Sequence, residues 1–432
     1  MLRNESSDTR NRPTRGGISA LNGSHGRCWC GQWFGGEAPR GEWSKQEASF
    51  VELFFDLVLV FALNRVVATS TSQLASSPSS AGRWASLLQA LLLILPLMWV
   101  WSMTAYSTAR FEPRRLAVQV MVLVTAFGVL LLGVVTPKAF GGSAWMFAGV
   151  YVALQAGRAL VVAVALRSHW LQRLYWGILV WFCVSAVAWL LGAVAHDTAR
   201  MLLWSLAIVI EYGSARLGWW VPWQKPERIL AWEAAAGHLA DRYQQLVLIA
   251  LGETILAVGI AYTEASGSRR FPQTFGLVIA FITAVLLWRI YFYRAGEVFG
   301  SAVKSAANPA RLGRVAGSAH LLMILGVAAA AIGNELVQKH PTGHTFKSWL
   351  ALMLGGPALF VAGRTLLEWV VFSRVSRPRL LGIAALLLLA VPLAFAPPLV
   401  VVTVVAVVLL AIAVADARRA AGKPAEAPTP PG

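Results

Sequence analysis

The sequence is poor in charge, in cysteine and in acidic residues. Only 13% of its 432 residues are Asp, Glu, Lys or Arg, about half the share usual in soluble globular proteins, so water is not the expected solvent for most of the chain. Three cysteines exclude a disulfide framework. Cys28 and Cys30 flank Trp29 near His25, but a metal centre needs further ligands at regular spacing, and the pair is read as incidental. Cys183 lies in an apolar run and is read as packing. The chain also lacks a Walker A loop, a His-Glu-x-x-His zinc helix, a Gly-x-Ser-x-Gly elbow and a dinucleotide fingerprint in a strand context. No catalytic residue, metal or cofactor is therefore assigned.

What the chain has is apolar length. Hydrophobic residues make up 57% of it and the mean hydropathy is +0.62. A bilayer core takes roughly 20 apolar residues per helix, and the runs predict an all-α polytopic membrane protein with about twelve transmembrane helices. They fall at 51–67, 84–106, 116–135, 145–166, 174–194, 201–220, 239–262, 275–293, 312–334, 349–372, 380–395 and 399–415. Ala396, Pro397 and Pro398 separate the last two, and a tight hairpin is favoured there over one kinked helix. Residues 1–48 and 417–432 are too polar to bury a core and are expected to be disordered tails. Since the first apolar segment begins only at Val51, no secretory leader is expected and that segment stays as a helix. A loop at 221–238, carrying Pro222, Lys225, Pro226, Glu227 and Arg228, divides the chain into six-helix halves at 49–220 and 239–416.

A net charge of +17 and a pI near 10.6 would suit a nucleic acid, but the placement of the charge argues otherwise. Arg110, Arg114, Arg115, Arg167, Arg173, Arg216, Lys225, Arg228, Arg374, Arg377 and Arg379 gather on one side of the predicted membrane. With the N-terminus in the cytoplasm that side collects about 24 basic residues against about 7 opposite, as the positive-inside rule describes. The expectation is a multi-pass protein of the cell's inner (cytoplasmic) membrane with both termini cytoplasmic. Its basic face meets anionic membrane lipids, and no nucleic-acid partner is expected. Oligomeric state is not written in the sequence.

One internal overlay stands out. Glu52 set on Asp241 lays Glu52-Leu-Phe-Phe-Asp56-Leu-Val-Leu-Val60 over Asp241-Arg-Tyr-Gln-Gln245-Leu-Val-Leu-Ile249 and puts Trp99 on Trp288 without a gap. Halves six spans apart share an orientation, so a duplication would give two parallel six-helix repeats about an axis along the membrane normal; chance likeness of Leu- and Val-rich helices is the alternative.

Ionisable groups inside spans are the informative positions, because a charge at the bilayer centre costs about 2.5 to more than 10 kcal/mol. Glu52 and Asp56 sit one turn apart on one face of the first span, close enough to share a proton or cation or, on the plainer reading, to serve structure alone. The seventh span carries a polar stripe of His238, Arg242, Gln245, Gly252 and Glu253, with Asp241 at its start. Glu253 stands about 16 Å along the helix from Arg242 and needs a partner from another span, for which Arg65, Arg158, Arg289 and Arg364 are candidates. Arg289 and Tyr293 follow each other at a four-residue step on the eighth span, and Arg364 with Glu368 has the spacing of a structural ion pair. Glu211 beside Tyr212 is deep in the sixth span, and His320 is expected to be a satisfied core residue.

At Val51-Glu-Leu-Phe-Phe-Asp-Leu-Val58, and at His238-x-x-Asp-Arg242 followed by Leu248-Ile-Ala-Leu-Gly-Glu-Thr-Ile-Leu256, the chain resembles the bacterial low temperature requirement A protein family. The resemblance runs from about Glu47 to Ala415. It implies a multi-spanning membrane protein, and its name describes a phenotype rather than a reaction. Its characteristic positions fall here on Glu52, Phe54, Phe55, Asp56, His238, Arg242, Gly252 and Glu253; Asp241 and Gln244 depart from the pattern. The leading expectation is a transporter or ion-coupled permease for a small solute or ion. In it Glu52, Asp56 and Glu253 bind a proton or cation, while His238, Asp241, Arg242, Gln245, Arg289 and Tyr293 balance charge or meet substrate. The alternatives are a non-transporting sensor or structural protein with buried ion pairs, and an intramembrane lipid-modifying enzyme.

Overall fold

In the computed structural model of the protein the described residues are 49–167, 171–222, 232–264, 271–293, 299, 301–302, 306, 309–421 and 428–430. The expected tail at 1–48, with Cys28 and Cys30, and much of the 221–238 loop lie outside them. Among the described residues all the regular structure is helical. Twelve helices follow in order: α1 Phe50–Ser76, α2 Ser80–Arg110, α3 Leu116–Val135, α4 Ala144–Ala165, α5 Leu171–Val194, α6 Asp197–Arg216, α7 Trp232–Glu264, α8 Phe271–Phe292, α9 Pro309–Lys339, α10 Lys347–Phe372, α11 Arg377–Leu388 and α12 Pro398–Ala420. A four-residue turn at Ala390–Leu393 prolongs α11.

Among the described residues nine of these helices are long and apolar enough to cross a membrane: α2 to α5, α7 to α10 and α12. α1 carries Glu52, Asp56, Asn64 and Arg65, and α6 carries Asp197, Arg200, Glu211 and Arg216. α11, with 12 residues, rises about 18 Å, short of a hydrocarbon core of about 30 Å. Two boundaries differ from expectation. α7 begins at Trp232, inside the segment read as loop, and α12 runs on to Ala420, past the start of the tail. Thr429 returns to bond the end of α10, its N–H donating to the Val371 carbonyl at 2.9 Å.

Local chemistry sets the helix starts. Ser49 closes a capping box on α1: its N–H and hydroxyl both donate to Glu52 Oε2 at 2.9 Å, which satisfies donors that the first turn leaves open. Ser79 caps α2 by accepting from the Gly82 N–H at 3.0 Å, and α12 opens on Pro398, whose missing N–H costs nothing at that position. Packing then follows small residues. A Cβ on Gly326 would stand 2.6 Å from the Gly356 carbonyl oxygen, and one on Gly363 would stand 2.6 Å from that of Ala319. The backbones of α9 and α10 therefore touch along a stripe of glycines, the arrangement that brings membrane helices together.

The distribution of polarity is that of a lipid-solvated bundle. Val120, Phe127, Val161, Val187, Val209, Phe281 and Val407 are exposed, while Asp56, Arg242, Glu253, Arg364 and Arg379 are buried. The neighbour relations of the first six helices recur among the last six, which add contacts of α9 and α10 with α12 that have no counterpart in the first six. In the first half α1 packs on α2 and α3, α2 on α3, α4 and α6, α3 on α4, α4 on α5, and α5 on α6. In the second, α7 packs on α8 and α9, α8 on α9, α10 and α12, α9 on α10, α10 on α11, and α11 on α12. α1 and α7 meet where the halves join.

Candidate functional site

Polar residues of α1 and α7 converge at that junction. Asp56 accepts two parallel bonds from Arg242, Nη1 to Oδ2 at 2.6 Å and Nη2 to Oδ1 at 2.8 Å, the fork geometry that makes arginine–carboxylate pairs strong. Trp101 of α2 donates Nε1 to Asp56 Oδ1 at 3.1 Å, and Gln245, one turn along α7, accepts from Arg242 Nη1 at 2.9 Å. Glu52 lies 2.9 Å from His238 Nε2 and 3.5 Å from Arg242 Nε. The i, i+4 spacing of Glu52 with Asp56 and of His238 with Arg242 thus presents two acids to two basic groups across one helix interface. Burial strengthens each attraction, and each also raises the penalty for losing a partner.

Glu253 lies deeper between the same helices. It is 2% exposed, and Asn64 Nδ2, in the middle of α1, stands 3.5 Å from its Oε1. The cationic partner expected from sequence is not there. Arg158 turns to Thr104 and Gln155, Arg289 is exposed beside the Tyr293 ring, Arg364 serves carbonyls, and Arg65 takes no part. Glu335 of α9 is the acid that acts on Glu253 from nearby; it accepts from Thr71 at 3.1 Å and pairs with Lys339 at 3.0 Å. Among the described residues, therefore, the group beside the Glu253 carboxylate is a neutral amide.

Of the remaining residues singled out in sequence, Asp241 is exposed and outside the cluster. Tyr293 donates its hydroxyl to the Asp416 carbonyl at 2.5 Å. The expected Arg364–Glu368 pair is replaced by bonds to other helices. Arg364 Nε donates to the Ile290 and Tyr291 carbonyls at 3.0 and 3.2 Å, closing the C-terminal end of α8, where backbone acceptors are left over. Glu368 accepts instead from Arg379 at 2.8 Å, and Arg379 also holds Asp416 at 2.7 Å. Glu211 accepts from Ser185 at 2.8 Å, from Trp189 at 2.9 Å and from the Tyr151 hydroxyl. His320 bonds the Tyr291 hydroxyl at 3.0 Å and the Ala316 carbonyl at 2.8 Å. Trp101, Asn64, Gln155 and Arg379 are the participants that the sequence reading did not place. Asn64 alone left a signal, since it stands 189 residues from Glu253, the same offset that sets Glu52 on Asp241.

A helical bundle with lipid-facing valines and leucines outside and ion pairs inside defines a multi-pass integral membrane protein. The model of the bacterial low temperature requirement A proteins (LtrA) matches residues 47–414, and the chain belongs to that family. It is also similar to an uncharacterized protein of Rhizobium meliloti (strain 1021), with 29% identity over 378 residues that span 85% of this chain and 88% of the relative. No solved structure matches it.

Proposed function

We propose that the protein is an ion-coupled permease of the inner membrane, with twelve spans in two parallel six-helix repeats and both termini in the cytoplasm. The observation that carries this reading is Glu253. A carboxylate held in a protein interior against a neutral amide is completed by something exchangeable, a proton or a cation, because an unpaired buried charge is too costly to keep. Its place supports the same reading. Asn64 is central in α1 and Glu253 is close to the middle of the apolar stretch Gly237–Glu264 of α7, and transporters built from repeats bind near the midplane where the repeats meet. Two further facts support duplicated halves: the matching neighbour relations of α1–α6 and α7–α12, and the contact between positions 189 residues apart. Residues equivalent under a two-fold relation touch each other only beside its axis.

In this reading Glu52, Asp56, His238, Arg242 and Gln245 form a charge-paired lock between the repeats, and Glu253 is the exchange site. Solid-supported-membrane recordings on proteoliposomes test it without a known solute. A jump in pH or sodium is expected to give a transient charge movement in the wild type and none in Glu253→Gln. A wild type that stays silent to both ions sinks the assignment. The second reading, a structural or sensory protein, draws its support from the bidentate pairing of Asp56 with Arg242; it predicts no charge movement in any variant.

A further inference from the structure

A cavity of roughly 180 Å³ opens between α2, α4, α5, α6, α7 and α9. Four arginines line it, Arg110, Arg158, Arg216 and Arg314, and among the described residues no aspartate or glutamate does. Three of them sit at or near helix ends on one side of the bundle, where topology alone accounts for positive charge. Arg158 has no such explanation. It is 9% exposed, and its partners are neutral, Thr104 Oγ1 at 3.2 Å and Gln155 Oε1. Among the described residues none of the four pairs with a carboxylate; Arg216 donates to the Ser318 hydroxyl at 2.9 Å. A guanidinium offers five donors, so Arg158 keeps capacity for a ligand.

The wall also carries a cluster of aromatic rings. Trp99 packs on Tyr212 and Trp219, with ring centroids 4.3 and 6.0 Å apart, and Phe182 packs on Trp219 at 5.5 Å. Tyr243, packed at a tilt against the Trp101 that holds Asp56, ties this wall to the ionic lock. We propose that the cavity binds a small organic anion: one oxyanion head on Arg158 and the rim arginines, and a ring-sized apolar body against the aromatics. The volume argues for one ring, since a dry cavity of about 150 Å³ already holds benzene whereas drug-sized ligands fill roughly 300 Å³ or more. An acyl lipid is too large. As a substrate site the assignment rests on the permease reading; as a binding site it stands alone.

The test is calorimetric titration of the full chain, in nanodiscs of phosphatidylcholine, with benzenesulfonate, an anion that does not cross bilayers as a neutral acid. Saturable binding to the wild type is expected. Arg158→Gln weakens it at least about tenfold, and Arg314→Gln, an exposed rim residue whose loss threatens no packing, weakens it about two- to fivefold. Absence of saturation in the wild type, or unchanged affinity in both variants, overturns the site. If nanodiscs containing phosphatidylglycerol abolish the titration, the occupant is a lipid head group and the small-anion assignment falls. Labelled benzenesulfonate counterflow into proteoliposomes separates the two claims: binding without flux leaves the binding site standing and removes its role as a substrate site, while the permease reading falls only with the charge movement.

Discussion

Asp56 and Glu253 are carboxylates on helices that pack against each other, and burial treats them alike, at 1% and 2% exposure. Their partners differ. Asp56 has a bidentate arginine and an indole N–H; Glu253 has an amide at the outer limit of hydrogen-bond distance. The contrast separates two uses of a buried acid. Where every donor is supplied by the chain, the group fixes how α1 and α7 sit together, and displacing it costs the whole arrangement. Where the chain supplies almost nothing, the proposed permease reading has the missing partner come from outside and exchange.

The largest break in this comparison is Arg242→Leu. It leaves Asp56 buried without its cation and strips Glu52 of one of its two basic neighbours, which is expected to cost about 3–5 kcal/mol. Thermal unfolding in detergent measures it, and the pair Asp56→Asn with Arg242→Leu is expected to recover part of the loss. A single variant as stable as the wild type would show that the pair locks nothing. Trp101→Phe is the milder probe of the same cluster: it keeps the ring and removes one N–H from an ionised acceptor, for an expected loss of about 1.5–3 kcal/mol.

The sequence carried most of this frame. Each of the twelve helices falls on an apolar run, nine of them among the described residues long and apolar enough to cross a hydrocarbon core, and helical periodicity put Glu52 with Asp56 and His238 with Arg242 on single faces. That those two faces meet was not legible from either span, since inter-helix pairing depends on the whole bundle. The same limit explains the Arg364–Glu368 error. Spacing of i, i+4 makes a pair sterically available, but Arg379 on α11 and the open carbonyls at the end of α8 compete for the two groups and win. Glu253 is a different case: charge is expected to answer charge, which favours arginines, whereas the group beside it is the neutral Asn64, at the same 189-residue offset as the internal overlay.

Glu253→Gln sharpens the contrast from the other side. An amide of the same shape replaces a carboxylate that has no ion pair among the described residues, so stability is expected to stay within about 1 kcal/mol of wild type while the charge movement disappears. Loss of stability comparable to that of Arg242→Leu would place Glu253 with the locked acids instead.

Asn64→Ala is the smallest perturbation and the most discriminating. A contact at 3.5 Å contributes little, so the expected change is about 0.5 kcal/mol or less, and the carboxylate that exchanges is still present. The charge movement should therefore survive with altered ion dependence, because the amide is part of what the incoming proton or cation meets. If Asn64→Ala silences the protein as fully as Glu253→Gln, exchange belongs to the pair across the repeat junction rather than to the carboxylate, and the two-fold relation between the halves becomes part of the site itself.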